Sequence, residues 1–151
     1  MTRHYDLVVI GAGPAGESAA ELAGAFGHRA LVIERDKPGG VVTTTGGAPI
    51  KTLREAAIYL TGFHHRDIYG SSVATSPEIA LPKIAERTRY VCTLLQQSVA
   101  QSLTENQVDY LQGTARLAPN HTVRVVIADG AMETVNADVI LIATGSRPLR
   151  P

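Results

Sequence analysis

One segment, Tyr5–Gly16 (YDLVVIGAGPAG), limits the folds open to this chain more than any other. Tyr5–Ile10 is a short β-branched apolar run and reads as a buried strand. It ends on glycines spaced GxGxxG, at Gly11, Gly13 and Gly16. Pro14–Phe26 then reads as a helix. Pro14 stands at the first helical position, where its missing N–H costs nothing, Glu17 lies in the dipole-favoured first turn, and Gly27 supplies a stop. Arg29–Glu34 (RALVIE) is a second buried strand. Strand, tight turn, helix and strand at these lengths predict a βαβ unit with two parallel strands and a right-handed crossover. The chain is therefore expected to be an α/β fold.

Composition narrows the function. The 151 residues suffice for one domain with a core. Fourteen Lys and Arg balance fourteen Asp and Glu, which argues against a nucleic-acid or anionic-membrane partner. Cys92 is the only cysteine, so no internal disulfide forms and a cysteine-rich metal site is excluded. The N-terminal apolar run is broken after Ile10, too early for a signal peptide, and no segment reaches the ~20 apolar residues of a membrane span. The expectation is a soluble, cytoplasmic protein with no resident metal.

The rest of the chain reads as follows. Pro38–Lys51 (PGGVVTTTGGAPIK) is a glycine-rich loop opening into a helix over Pro49–Leu60, with Leu53, Ala56, Ala57 and Leu60 on one face. His64–Ser76 is a polar loop, and the adjacent His64 and His65 read as solvated. Pro82–Leu103 is a longer helix with a stripe of Ile84, Thr88, Val91, Leu95 and Val99, and it carries Cys92 as a small apolar residue. Val108–Leu111 is a third strand. Short strands at Thr114–Ala118, Thr122–Ala128 and Ala131–Val135 follow, the last two joined at Asp129-Gly130, a strong hairpin signal. Ala137–Thr144 (ADVILIAT) is a further buried strand ending at Gly145.

The glycine motif carries the chemistry. Gly11 permits the turn off the strand, Gly13 lets a pyrophosphate approach the backbone, and Gly16 brings helix and strand together. The helix start at Pro14, Ala15 and Gly16 offers a positive dipole end and free amides to phosphate. Glu34 lies 18 residues past Gly16, close to the ~20 expected of an acid that accepts from ribose hydroxyls. The motif alone leaves FAD and NAD both open. The loop helps decide. Its paired glycines let backbone lie against a ligand, which nominates Gly40, Val41 and Gly46, and Lys51 brings a cation one turn into the next helix. A fixed ammonium there would stabilise the charge of a reduced isoalloxazine. One of Thr43, Thr44 and Thr45 could donate to the ligand or could be loop filler, and Arg35 could lie over an adenine or face solvent.

These motifs, in this order, resemble the flavoprotein disulfide reductase family: YDLVVIGAGPAG, the acid Glu34, the glycine pair followed by Pro49-Ile50-Lys51, LQGTARL, and the closing LIATGSRP. The resemblance spans the whole chain. It implies a Rossmann-like FAD-binding domain with a parallel sheet, a helical insertion and a small antiparallel β-meander. It further implies adenine contacts near Gly113, Thr114 and Ala115, FAD contacts at Ala143, Thr144 and Gly145, and Lys51 beside the flavin N5 as the catalytic residue. Most members carry two redox cysteines in the loop; the matching positions are Val42 and Gly47. Neither can form a mixed disulfide. Direct hydride exchange between nicotinamide and flavin, and onward to a second nicotinamide or a quinone, is what remains, which is the pattern of the soluble transhydrogenase branch. Family members are far longer and continue into an NAD(P)-binding domain and a dimerisation domain. Residues 1–151 are thus expected to be a partial FAD-binding domain, inactive alone, belonging to a homodimeric protein or completed by a partner chain. The alternative is a non-catalytic module that binds FAD, NAD or ADP without turnover.

Overall fold

The computed structural model describes residues 3–61, 76–128 and 130–146. They form two compact units, one of Met1–Gly40 with Gln96–Pro151 and one of Val41–Leu95. The first unit is built on a six-stranded sheet. Strands β1 (Arg3–Ile10), β2 (Ala30–Glu34), β3 (Asp109–Gln112), β4 (Thr114–Ala118), β5 (Thr122–Val126) and β6 (Met132–Ile142) lie in the order β3-β2-β1-β6-β5-β4. β3, β2, β1 and β6 are mutually parallel, with Val8 opposite both Leu31 and Ile140. β4 and β5 run antiparallel and continue the sheet from the first half of β6. Helix α1 (Pro14–Ala25) joins β1 to β2, giving the parallel βαβ unit expected from the glycine motif.

Both faces of β2 are covered, which is why its sequence is an unbroken apolar run. Leu31 and Ile33 point to one side, where they pack with Tyr5, Val8, Val123, Val125 and Val135. Ala30 and Val32 point to the other, against Val9, Ala20, Val99, Leu103 and Val108. The antiparallel strands therefore fold over the face opposite α1. Full burial of Leu31, Val32 or Ile33 contributes about 1.5–3 kcal/mol each relative to exposure.

Several boundaries depart from expectation. The strands anticipated at Ala131–Val135 and Ala137–Thr144 are one strand, β6. Asn136 looks like a break, but Val135 and Asn136 are in register with β1 on one side and β5 on the other. The Asn136 side-chain oxygen accepts from Thr122 Oγ1 at 3.0 Å, so that oxygen is satisfied by the neighbouring strand β5. The hairpin signal at Asp129 falls outside the described residues, while Gly130 takes φ +85° and donates to Ile127 O at 3.0 Å.

The second unit is helical. Part of the glycine-rich loop winds into a short helix, α2 (Gly40–Thr44), closed by Thr45 and Gly46 N–H groups that both donate to Val41 O. Helix α3 is Ala48–Thr61. Its shielded line is Pro49, Thr52, Ala56 and Leu60, while Leu53 and Ala57 are exposed. Adjacent helical stripes overlap in spacing, so periodicity alone selected a face about one position away. Helix α4 runs Pro77–Glu105, its last turns belonging to the first unit. It starts before Pro82, which forfeits one helical bond to the Glu78 carbonyl without ending the helix. The polar segment with His64 and His65 lies outside the described residues. Among the described residues no helix is long and apolar enough to cross a membrane, and no group of His, Cys, Asp and Glu is placed to hold a metal.

Candidate dinucleotide-binding site

The three motif glycines have distinct physical roles. Gly11 takes φ +109°, and a Cβ there would stand 2.3 Å from Ala143 O. A Cβ on Gly16 would stand 2.0 Å from Gly11 O and 3.0 Å from Val9 Cγ1. Both are demanded by the protein's own backbone, because the turn must pass under β6 and α1 must lie close on β1. Gly13 is different. Its φ is −76°, open to any residue, and a Cβ there would meet nothing within 4 Å. The fold itself has no need of glycine at that position.

Gly13 is the N-cap of α1 and makes no side-chain cap; Pro14 follows at the first helical position. Among the described residues the amides of Ala15 and Gly16 have no partner, and Glu17 N–H is the first to bond back, to Gly13 O at 2.9 Å. The space beside Gly13 is thus bordered by unpaired donors at a positive dipole end, which is an anion site in chemical character.

Glu34 closes the site on the adjacent strand. Its Oε2 accepts from Ala12 N–H at 2.8 Å and its Oε1 from Asp36 N–H at 2.9 Å. Two backbone donors fix the carboxylate against the glycine turn and leave further lone pairs free to accept. The Gln112 side chain donates to Asp36 O at 2.9 Å and pins the chain after β2. Tyr110 holds its proton more tightly than an ordinary phenol, first through burial and then through the negative charges of Glu34 and Asp36. Burial, with a contribution from Glu21, likewise raises the Glu17 carboxyl.

The other expected contacts of this unit gather at the same end of the sheet. Gly113 N–H donates to Glu34 O at 2.8 Å, which sets Thr114 and Ala115 beside β2. Ala143 N–H donates to Ile10 O at 2.9 Å, placing Ala143 and Thr144 against Gly11, and Gly145 follows with φ +72°. Arg35 is exposed. The first glycine pair of the long loop is engaged by protein backbone: Gly39 N–H donates to Ala12 O at 2.7 Å, and a Cβ on Gly40 would lie 3.0 Å from Gly13 Cα. Val41, Gly46 and Lys51 belong to the second unit, with Val41 and Lys51 exposed there. A Cβ on Gly46 would stand 2.8 Å from Val41 Cγ1, so this glycine also serves local packing.

Sequence reasoning did not find Ala12, Asp36, Tyr110 or Gln112. No spacing marks them: Ala12 and Asp36 act through backbone N–H groups, and Gln112 reaches Asp36 only because β3 lies beside β2.

The chain is 40% identical to the soluble pyridine nucleotide transhydrogenase of Mycobacterium bovis (strain BCG / Pasteur 1173P2) over 99% of its own length and 32% of the relative's. The match to the protein of the same name from Mycobacterium tuberculosis (strain ATCC 25177 / H37Ra) has the same identity and coverage. With the Pseudomonas putida (strain GB-1) protein it shares 36% identity over 98% of this chain and 32% of the relative. The chain thus spans about a third of the length of the curated relatives it matches. Residues 5–151 match the pyridine nucleotide-disulphide oxidoreductase family, and the chain belongs to that family.

Proposed function

We propose that residues 1–151 form part of an FAD-binding domain in an oxidoreductase that passes hydride between nicotinamide nucleotides, the activity named for its relatives. The pyrophosphate would lie beside Gly13, on the free amides of α1. The adenosine ribose would be held by Glu34, and the adenine would lie along Gly113–Ala115, with Ala143, Thr144 and Gly145 bordering the flavin end. The observation that carries this reading is the open space at Gly13, next to unpaired Ala15 and Gly16 amides and a carboxylate already fixed by Ala12 and Asp36. A bound flavin would supply the hydride chemistry, the protein its position and electrostatics.

In this reading Lys51 presents its ammonium to the flavin and stabilises the negative charge gained on reduction. The loop has Val42 and Gly47 where a dithiol would stand, so no electron pair is stored on sulfur there. NAD(P) would be bound by residues beyond this chain, and cytoplasmic location and a homodimeric whole protein belong to the same proposal.

Purification and a visible spectrum test it. Flavin bands near stoichiometry support the reading, with Glu34→Gln reducing the affinity for FAD and for ADP. A colourless chain that takes up ADP or NAD as readily as FAD would leave a nucleotide-binding module without flavin chemistry. Unchanged ADP affinity in Glu34→Gln would show the ribose assignment to be wrong.

A further inference from the structure

The second unit holds a cleft of about 650 Å³ between α3 and α4, within the range of small-molecule sites. Its floor is aliphatic. On α4 it is made by Ile84, Val91 and Leu95, whose spacing lines one side of the helix, and on α3 by Ala48 and Ala56. Eleven residues separate Ile84 from Leu95, about 16 Å of helix, comparable to an extended medium-length acyl chain. Among the described residues no aromatic side chain lines the cleft.

The rim carries charge of one dominant sign. Lys51, Lys83 and Arg87 face a single carboxylate, Glu55. Glu55 is already paired with Arg54 at 2.8 Å. Lys83 has only a 3.4 Å contact with Glu86, exposed on both sides and correspondingly weak. Arg87 lies over the Tyr90 ring at 5.6 Å and has no carboxylate partner, and Lys51 has no side-chain partner among the described residues. An apolar trough edged by cations that have, among the described residues, at most one weak carboxylate contact suits a ligand with an aliphatic body and an anionic head.

We propose that this cleft binds an amphipathic aliphatic carboxylate, its chain along Ile84, Val91 and Leu95 and its head group at Lys83 and Arg87. The lining residues all belong to the second unit, and the test reads Lys83 and Arg87 rather than Lys51, which the proposed function gives to the flavin, so its outcome does not depend on that assignment. Isothermal titration of the purified chain with dodecanoate should give one saturable site. Arg87→Ala and Lys83→Ala should each weaken binding about tenfold, the loss expected for one partly exposed charge-assisted bond. Both residues are exposed, and unchanged circular dichroism confirms that the variants fold. Val91→Glu should abolish binding. Val139→Glu, at an exposed apolar position of β6 in the other unit, should leave it unchanged. Non-saturable uptake would overturn the proposal. So would dodecanol binding as tightly as dodecanoate, affinity insensitive to both cations, or equal loss in Val139→Glu.

Discussion

Alanine placed in turn at the three motif glycines separates what the fold requires from what a ligand requires. At Gly16 the new Cβ would lie 2.0 Å from Gly11 O, a backbone atom that cannot yield without lifting α1 off β1. Overpacking of this kind costs about 1–3 kcal/mol or more. At Gly11 the clash with Ala143 O is joined by a φ of +109°, which adds about 1–3 kcal/mol of backbone strain. Against a typical domain stability of about 5–15 kcal/mol, either change removes a large share. At Gly13 neither term operates. Alanine is a poorer N-cap than glycine by a few tenths of a kcal/mol to about 1, while restricting the unfolded chain returns about 0.4–1. The net change should lie within about 0.5 kcal/mol of zero. Nucleotide binding should respond the opposite way. A methyl group beside the α1 amides displaces a phosphate oxygen from at least one charge-assisted bond, worth about 1.5–3 kcal/mol, or roughly tenfold to a hundredfold in Kd. Urea unfolding without nucleotide and calorimetric titration with ADP measure both quantities. A Gly13→Ala chain as unstable as Gly16→Ala would refute the open space, and one that binds ADP normally would refute the phosphate placement.

Two further expectations follow from particular residues. Tyr5 is buried, its hydroxyl donates to Asp109 Oδ2 at 2.8 Å, and burial first, then Asp109, raises its pKa. The protonated phenol is favoured in the folded state, so its contribution is complete below about pH 10, the ordinary phenol value, and is lost as pH rises through the higher folded value. Tyr5→Phe should cost about 1 kcal/mol at pH 7 and flatten the alkaline fall in stability, read from urea midpoints between pH 7 and 11; an unaltered alkaline limb would count against this origin. Lys51→Ala should leave the unfolding midpoint unchanged, because the side chain is exposed, yet slow flavin reduction by NAD(P)H in a protein carrying the nicotinamide-binding part. Equal reduction rates, followed by stopped-flow absorbance, would remove Lys51 from the chemistry.

Much of the site was legible in sequence because it is local. Gly11, Gly13 and Gly16 lie on one turn, and their spacing encodes strand, turn and helix together. Glu34 could be placed because β2 has to end where α1 begins. Asn136 misled because polarity inside an apolar run resembles a break, when its partner Thr122 lies on another strand. The α3 face was misplaced because the residues that shelter one side of a helix are not neighbours in sequence.

Sequence by itself determined the parallel βαβ core, the glycine-spaced turn that opens α1 and the absence of a dithiol between Gly40 and Lys51, since each depends on residue type at short spacing. Tertiary structure alone decided that Gly11 and Gly16 are held by backbone contact while Gly13 faces open space, and that the Glu34 carboxylate is anchored by the amides of Ala12 and Asp36. It also decided that β6 is one strand shared between β1 and β5. These facts depend on which atoms distant in the chain meet across the sheet, and spacing along a single sequence does not carry that information.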